Sequence, residues 1–333
     1  MRRCRLNSMT RFSLGSPRPK SYGSFVTMNS QSSPLHPSSR RDFLGTLTAG
    51  AALSLSATKA RAQKAFTPEP KSFQTKRSPM KLGTVTYNLA KDWDIETIIL
   101  NCEQAGFEGV ELRTTHAHKV EVDLTPSQRE GVKKRFADSK VALMSLGSAF
   151  DYHTPDPAKL RQDIEATKKY IQLAHDVGAS GIKVRPNGLP KGVPIEKTLA
   201  QIGASLRELG EFGSQLGIQI RLEVHGEGTS KIQHIKTIID AAHHKDVGVC
   251  WNSNQTDLDD PGFDRNFALL KDKIFTVHMR DLYLDEYPFR KLLNALVDSG
   301  FTGFCLAEIP QASDPVRVMR YYRSLWLAYQ GLL

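Results

Sequence analysis

From Lys81 to the C-terminus, short runs that alternate apolar with polar residues take turns with longer stretches whose apolar positions recur every three or four residues. Eight runs read as strands: KLGTVTY (81–87), FEGVELR (107–113), VALMSLG (141–147), GIKVRP (181–186), IQIRLEVH (218–225), VGVCWN (247–252), IFTVHMR (274–280) and FCLAEI (304–309). Helical patterns fill the gaps, over Ile95–Ala105, Pro126–Ser139, Ala158–Val177, Ile195–Leu216, Ile232–His243, Phe263–Lys271, Phe289–Ser299 and Pro315–Leu327. Glycines such as Gly178 and Gly217 punctuate their ends. Eight strand–helix units in about 250 residues predict a parallel (β/α)8 TIM barrel of the α/β class. A doubly wound open sheet would want a glycine-rich phosphate loop after its first strand, and TVTYNLAKDWD has none.

Strand parity sharpens this expectation. In the fifth strand Ile218, Ile220, Leu222 and Val224 are apolar, whereas Gln219, Arg221, Glu223 and His225 are polar. The second sets Val110 and Leu112 against Glu111 and Arg113, the fourth Ile182 and Val184 against Lys183 and Arg185, and the seventh Val277 and Met279 against His278 and Arg280. Side chains alternate across a strand, so one face meets the helices and the other points into the barrel. The inward polar residues gather at the C-terminal strand ends, where barrel enzymes place their sites.

Charge changes the picture of the N-terminus and of little else. The formal charge of +10 suggests an acidic partner, but residues 1–62 hold ten Lys/Arg against one acid, leaving 35 basic and 34 acidic residues in the remainder. Nothing then favours nucleic acid. The leader SSRRDFLGTLTAGAALSLSATKARAQ has an Arg40-Arg41 pair, an uncharged stretch from Phe43 to Thr58, and Ala60-Arg61-Ala62 before Gln63. Those parts make a secretory signal, and Arg-Arg followed by Phe43-Leu44 resembles the twin-arginine type. The apolar stretch is too short and too rich in small residues for a stable membrane span. Residues 1–62 are therefore read as a leader, 63–79 as a flexible tether and 80–333 as the barrel, with the mature protein periplasmic or extracellular. Cys102, Cys250 and Cys305 lack CxxC spacing and sit in apolar contexts, as small core residues do.

The strand ends bring together Glu223, Asn252, His278 and Glu308, from four consecutive strands. Oxygen donors with one imidazole suit Mn²⁺, Mg²⁺, Co²⁺ or Zn²⁺. Each has a plainer reading: Glu223 and Glu308 paired with Arg221 or Arg185, and His278 as a hydrogen-bonded core histidine. Arg113, Lys183, Arg185 and Arg280 could hold hydroxyls, a carboxylate or a phosphate, and Glu111 and His225 share their face. His116, His118 and His153 fall in loops at the mouth.

The pattern IRLEVHG…VGVCWNSN…VHMRD…LAEIP, with residues 80–330 around it, resembles the xylose-isomerase-like TIM barrels of the sugar phosphate isomerase/epimerase superfamily. That resemblance implies a divalent metal held by Glu223, Asn252, His278 and Glu308, with Glu223 and Glu308 also moving the proton. It departs at the sixth strand, where the family places an aspartate and this chain has Asn252. Asp257, Asp259 and Asp260 follow, either to compensate or as a solvated acidic turn. Apurinic endonucleases share the barrel, but their Asp-x-x-His is here Asn252-x-x-Gln255, which leaves Gln255 as a candidate substrate contact. A retaining glycosidase would want carboxylates ending strands four and seven, where Lys183, Arg185, His278 and Arg280 stand. The expectation is an exported metal-dependent sugar isomerase or epimerase acting on a small sugar or sugar derivative, and recognised by the twin-arginine export machinery. A homo-oligomer is left open. The alternatives are a non-catalytic sugar-binding barrel with a degenerate metal site, and a keto-glycoside lyase using the same groups.

Overall fold

A computed structural model describes residues 77–333; the leader and most of the tether lie outside the described residues. Eight strands close into a barrel in chain order: β1 (Lys81–Val85), β2 (Gly109–Arg113), β3 (Ala142–Gly147), β4 (Gly181–Val184), β5 (Gln219–Glu223), β6 (Val247–Trp251), β7 (Ile274–Met279) and β8 (Phe304–Ala307). Every neighbouring pair is parallel, and β8 closes on β1. The helices are α1 (Ile95–Ala105), α2 (Pro126–Ala137), α3 (Pro157–Asp176), α4 (Ile195–Gln215), α5 (Ile232–Ala242), α6 (Phe263–Leu270), α7 (Phe289–Asp298) and α8 (Pro315–Tyr329). The predicted (β/α)8 barrel is the observed fold. Most strand patterns run a residue or two past the observed ends, because the chain leaves the ladder where its polar groups face the mouth.

Local chemistry sets the helix boundaries. Asp94 accepts from Thr97 N ahead of α1, Thr125 and Gln128 form a reciprocal capping box on α2, and Asp156 and Asp314 cap α3 and α8. The main core lies between sheet and helices: Ile182, Ile220, Leu222, Val249 and Val277 meet Ile202, Leu206, Ile235 and Ile238, all fully buried. Burying each such side chain is worth roughly 1.5–3 kcal/mol.

The barrel interior is layered. Val85, Met144 and Leu306, with Phe304 against them, form a small separate apolar cluster. Near the N-terminal end lies Arg221, whose Nη1 donates to the Met144 carbonyl and whose Nη2 donates to Ser180 Oγ and Gln219 Oε1. A Cβ at Gly181 would lie 2.6 Å from its guanidinium carbon, so glycine is needed on β4 for the arginine to fit. Arg221 thus plugs the barrel on neutral acceptors and makes no ion pair with Glu223 or Glu308. Among the described residues no helix is long and apolar enough to cross a membrane.

Candidate active site

At the C-terminal mouth, strand alternation delivers the expected polar groups to one place. Val85, Tyr87, Arg113, Lys183, Arg185, Glu223, His225, Asn252, Arg280 and Glu308 line a cavity of about 350 Å³. Glu223, His278 and Glu308 each offer a donor atom within 4.8 Å of the others. His278 Nδ1 lies 3.7 Å from Glu223 Oε1 and 3.8 Å from Glu308 Oε2, while its Nε2 lies 3.4 Å from Glu111 Oε1. The imidazole is 1% exposed, and neither ring nitrogen has a hydrogen-bond partner among the described residues.

Glu111 belongs beneath this floor. It is fully buried, outside the cavity lining, and a Cβ at Gly147 would fall 2.6 Å from its Oε1. Strand β3 therefore needs a glycine at that level for the carboxylate to reach His278. Burial pushes the Glu111 carboxyl up, but His278 and Lys183 outweigh it and hold it below the ordinary range. Burial likewise works to discharge His278, and Cys250 and Glu111 reverse that, raising it well above the ordinary histidine value. Glu111 is thus placed to orient the imidazole through Nε2 rather than to touch a ligand in the cavity.

The two glutamates at the edge are held in different electrostatic states. Lys183 Nζ donates to Glu223 Oε2 at 2.7 Å, both side chains being nearly sealed from solvent. Burial would raise Glu223, but Lys183 and His278 dominate and hold it far below the ordinary range; the same pairing raises Lys183 against its own burial. The Glu308 carboxyl makes no hydrogen bond among the described residues, its backbone N–H donating to the Met279 carbonyl, and burial raises the carboxyl despite nearby His278. The partner of Glu223 is Lys183, not the Arg221 or Arg185 that strand parity offered.

Arginines ring the opening. Arg113 lies over the Tyr87 ring at 5.6 Å, Arg185 Nη2 donates to the Ala149 carbonyl at 3.4 Å, and Arg280 Nη2 to the Ser253 carbonyl at 3.4 Å. His225 lines the cavity, its Nδ1 buried without a partner, and burial lowers it toward the neutral form. Tyr87 escaped the sequence reading, although β1 parity places it with Val85 on the inward side.

Several other candidates lie elsewhere. His116 Nδ1 pairs with Thr86 Oγ1 at 2.9 Å beside the cavity wall, and burial together with Arg113 lowers it to about 4. His118 is a structural residue: Val120 N donates to Nδ1, leaving Nε2–H to donate to the Arg113 carbonyl. His153 lies in a neighbouring cavity. Gln255 is exposed in the 3₁₀ turn Gln255–Leu258, and its Nε2 donates to the Glu286 carbonyl at 2.8 Å, away from the cavity.

The neutral run after β6 is a set of clamps around one cavity-facing residue. Ser253 Oγ donates to the His278 carbonyl and Asn254 Nδ2 to the Val224 carbonyl, tying this loop to β7 and β5. Asn252 is left facing the cavity. Asp257 is neither a ligand nor part of a solvated turn. It is fully buried, accepts from Tyr287 Oη and from Asn254 N, and burial pushes it up to about 7. Trp251 Nε1 completes the chain by donating to Tyr287 Oη.

The donor set fits a divalent cation. An imidazole whose Nδ1 has no hydrogen-bond partner, flanked by two glutamates and with Asn252 lining the same cavity, is the environment such an ion completes. Glu223 Oε1, His278 Nδ1, Glu308 and Asn252 would hold it, leaving Glu223 Oε2 to Lys183.

A family model described as xylose isomerase-like TIM barrel matches residues 99–325. The chain belongs to the xylose isomerase-like TIM barrel family. No curated protein sequence matches it. Among solved structures, an L-ribulose 3-epimerase is similar with a TM-score of 0.65 at 15% identity, over 76% of this chain and 95% of its own. An IolI protein with a bound zinc atom gives 0.64 at 16%, over 75% and 98%. The 3-keto-D-glucoside 4-epimerase YcjR from E. coli gives 0.62 at 16%, over 75% and 99%. At these identities the likeness is one of fold, so this family member's chemistry has to be argued from its own residues.

Proposed function

We propose that this barrel is a divalent-metal-assisted isomerase or epimerase, moving a proton on a carbon next to the carbonyl of a sugar or sugar derivative. The observation that carries this reading is the convergence of Glu223, His278 and Glu308 on one edge of a cavity ringed by Arg113, Arg185 and Arg280. The folds of two sugar epimerases and a zinc-bound relative agree with it.

A bound cation would supply Lewis acidity, polarising the carbonyl and stabilising the developing enediolate oxygen. The chain's own groups do the rest. Lys183 keeps Glu223 ionised, so Glu223 is the resting proton acceptor. Without an ion, burial makes Glu308 the more readily protonated of the two; holding one would leave it ionised, so its part is to exchange the proton with the substrate from the other side of the site. Removal of the proton by one and its return by the other on the opposite face inverts the carbon; return to the neighbouring carbon isomerises the sugar. Glu111 holds the His278 ring in place, and the arginines bind hydroxyl or carbonyl oxygens.

Metal analysis and solvent-deuterium exchange on keto-sugars test this together. The protein should retain about one divalent ion and exchange a substrate C–H. Glu223→Gln and Glu308→Gln should each cut exchange by roughly 10²–10⁴-fold. A metal-free protein indifferent to both changes would instead be a sugar-binding barrel. The same reading places the enzyme outside the cytoplasm, supported by the Arg40-Arg41 leader. Replacing both arginines with lysine should leave the protein in the cytoplasmic fraction; unchanged export would refute the twin-arginine route.

A further inference from the structure

Beside the inner cavity lies a larger one, of about 580 Å³, walled by the loops after β3, β4 and β5. Its chemistry is different. The inner cavity is lined mostly by charged groups, whereas the outer presents Pro155, Leu189 and Pro190 with polar His153, Asn187 and Glu227 among them. The two are adjacent along the chain. Arg185 and His225 line the inner cavity; Asn187 and Glu227, each two residues further on, line the outer.

The outer walls are built in advance. Asp151 Oδ2 accepts from Asn187 Nδ2 at 3.1 Å, tying the β3 loop to the β4 loop, and its Oδ1 lies 3.0 Å from His153 Nδ1 without a hydrogen bond between them. Gln201 on α4 donates to the carbonyls of Tyr152 and Thr154, fixing the β3 loop again. The β5 loop packs on the β4 loop so closely that a Cβ at Gly226 would lie 2.6 Å from the Asn187 carbonyl carbon. Gly228, at φ +74°, leaves room for Leu189, whose Cδ1 would be 2.8 Å from a Cβ there. Such a fixed, partly apolar concavity next to a charged site suits a compact organic group. Its lining carries one Lys191 against one Glu227, and no arginine, so it offers little to a phosphate or other anion.

We propose that the outer cavity is an aglycone subsite, and that the substrate is a glycoside whose sugar ring occupies the inner cavity while an uncharged, partly apolar substituent fills the outer one. This rests on the reading of the inner cavity as a sugar site. A glycoside ring cannot open at its anomeric carbon, so the carbonyl beside the mobile proton is not the anomeric one, and we take it to be a ketone on the ring. The reaction that supplies such a substrate is therefore oxidation of a ring hydroxyl.

The test compares methyl and phenyl β-glycosides of 3-keto-D-glucose, offered to the purified metal-loaded protein, reading apparent KM and solvent-deuterium exchange separately. The phenyl glycoside should show about a tenfold or greater advantage in KM or in calorimetric Kd, the order expected for burying a ring. Leu189→Asp, which places a charge in the wall, and Thr154→Trp, which fills the space, should each bring that ratio below about threefold. Exchange without a phenyl preference, or a ratio unmoved by both variants, overturns the subsite and leaves the proton chemistry standing. A phenyl preference that both variants abolish, without exchange, keeps the subsite and overturns the chemistry. Neither signal overturns both.

Discussion

Two buried cations, Lys183 and Arg221, face the barrel interior from adjacent paired strands and stand opposite one another in register. Arg221, toward the N-terminal end, donates through its two terminal nitrogens to a carbonyl, a hydroxyl and an amide oxygen, and burial lowers it to about 10. Lys183, toward the mouth, faces the Glu223 carboxylate and borders the cavity. The lower cation fills space and tethers backbone; the upper one sets the charge of a neighbour. Interior charge therefore does not by itself mark a site. What marks it is opposite charge beside open volume.

The largest effect should come from removing the upper cation. Lys183→Met leaves the buried Glu223 carboxylate with only the His278 imidazole at 3.7 Å, costing about 3–5 kcal/mol in denaturant unfolding with chelator present. Manganese should recover part of this, and a stability loss unchanged by metal would detach Lys183 from the site. A buried carboxylate without an ion-pair partner among the described residues provides the next contrast. Asp257 holds its proton in the folded protein up to about 7, whereas the unfolded chain releases it near 3.8. The folded state binds more protons across that window, so stability should fall as pH rises from 4 to 7 and level off above it. Asp257→Asn should remove this slope and stabilise the protein at pH 8 by about 2 kcal/mol; parallel pH–stability curves would refute the assignment. For the lower cation, Arg221→Met should cost about 1–3 kcal/mol through its stranded acceptors, with exchange per folded molecule unaltered. A changed KM would break the division between the layers. The smallest effect adds charge to the upper layer: Asn252→Asp should tighten metal binding at least about tenfold in calorimetry. No change would mean that the side chain is not a ligand.

The barrel was legible because strand alternation and helical periodicity are local and repeat eight times. Inward parity also sufficed to assemble Glu223, Asn252, His278 and Glu308 as candidates. What parity could not provide was the partner of each charge. It offered Arg221 to Glu223 because both share a strand face, but strand register and tilt bring Lys183 from β4 to Glu223 and turn Arg221 away. The turn after β6 was misread for a similar reason. The burial of Asp257 and the diversion of Gln255 depend on Tyr287 and on the Glu286 carbonyl, about thirty residues further on. Tyr87 lay within reach of the same parity argument and was missed because tyrosine at a strand end carries no charge to attract notice.

The clamps after β6 have a consequence for how this corner tolerates mutation. Ser253, Asn254 and Gln255 all donate to main-chain carbonyls, at positions 278, 224 and 286. Every residue type carries that acceptor, so exchanging the side chains at 224 and 286 costs the loop none of these bonds, whereas truncating a donor loses one outright. The presentation of Asn252 is thus robust to drift on one side of each bond and brittle on the other.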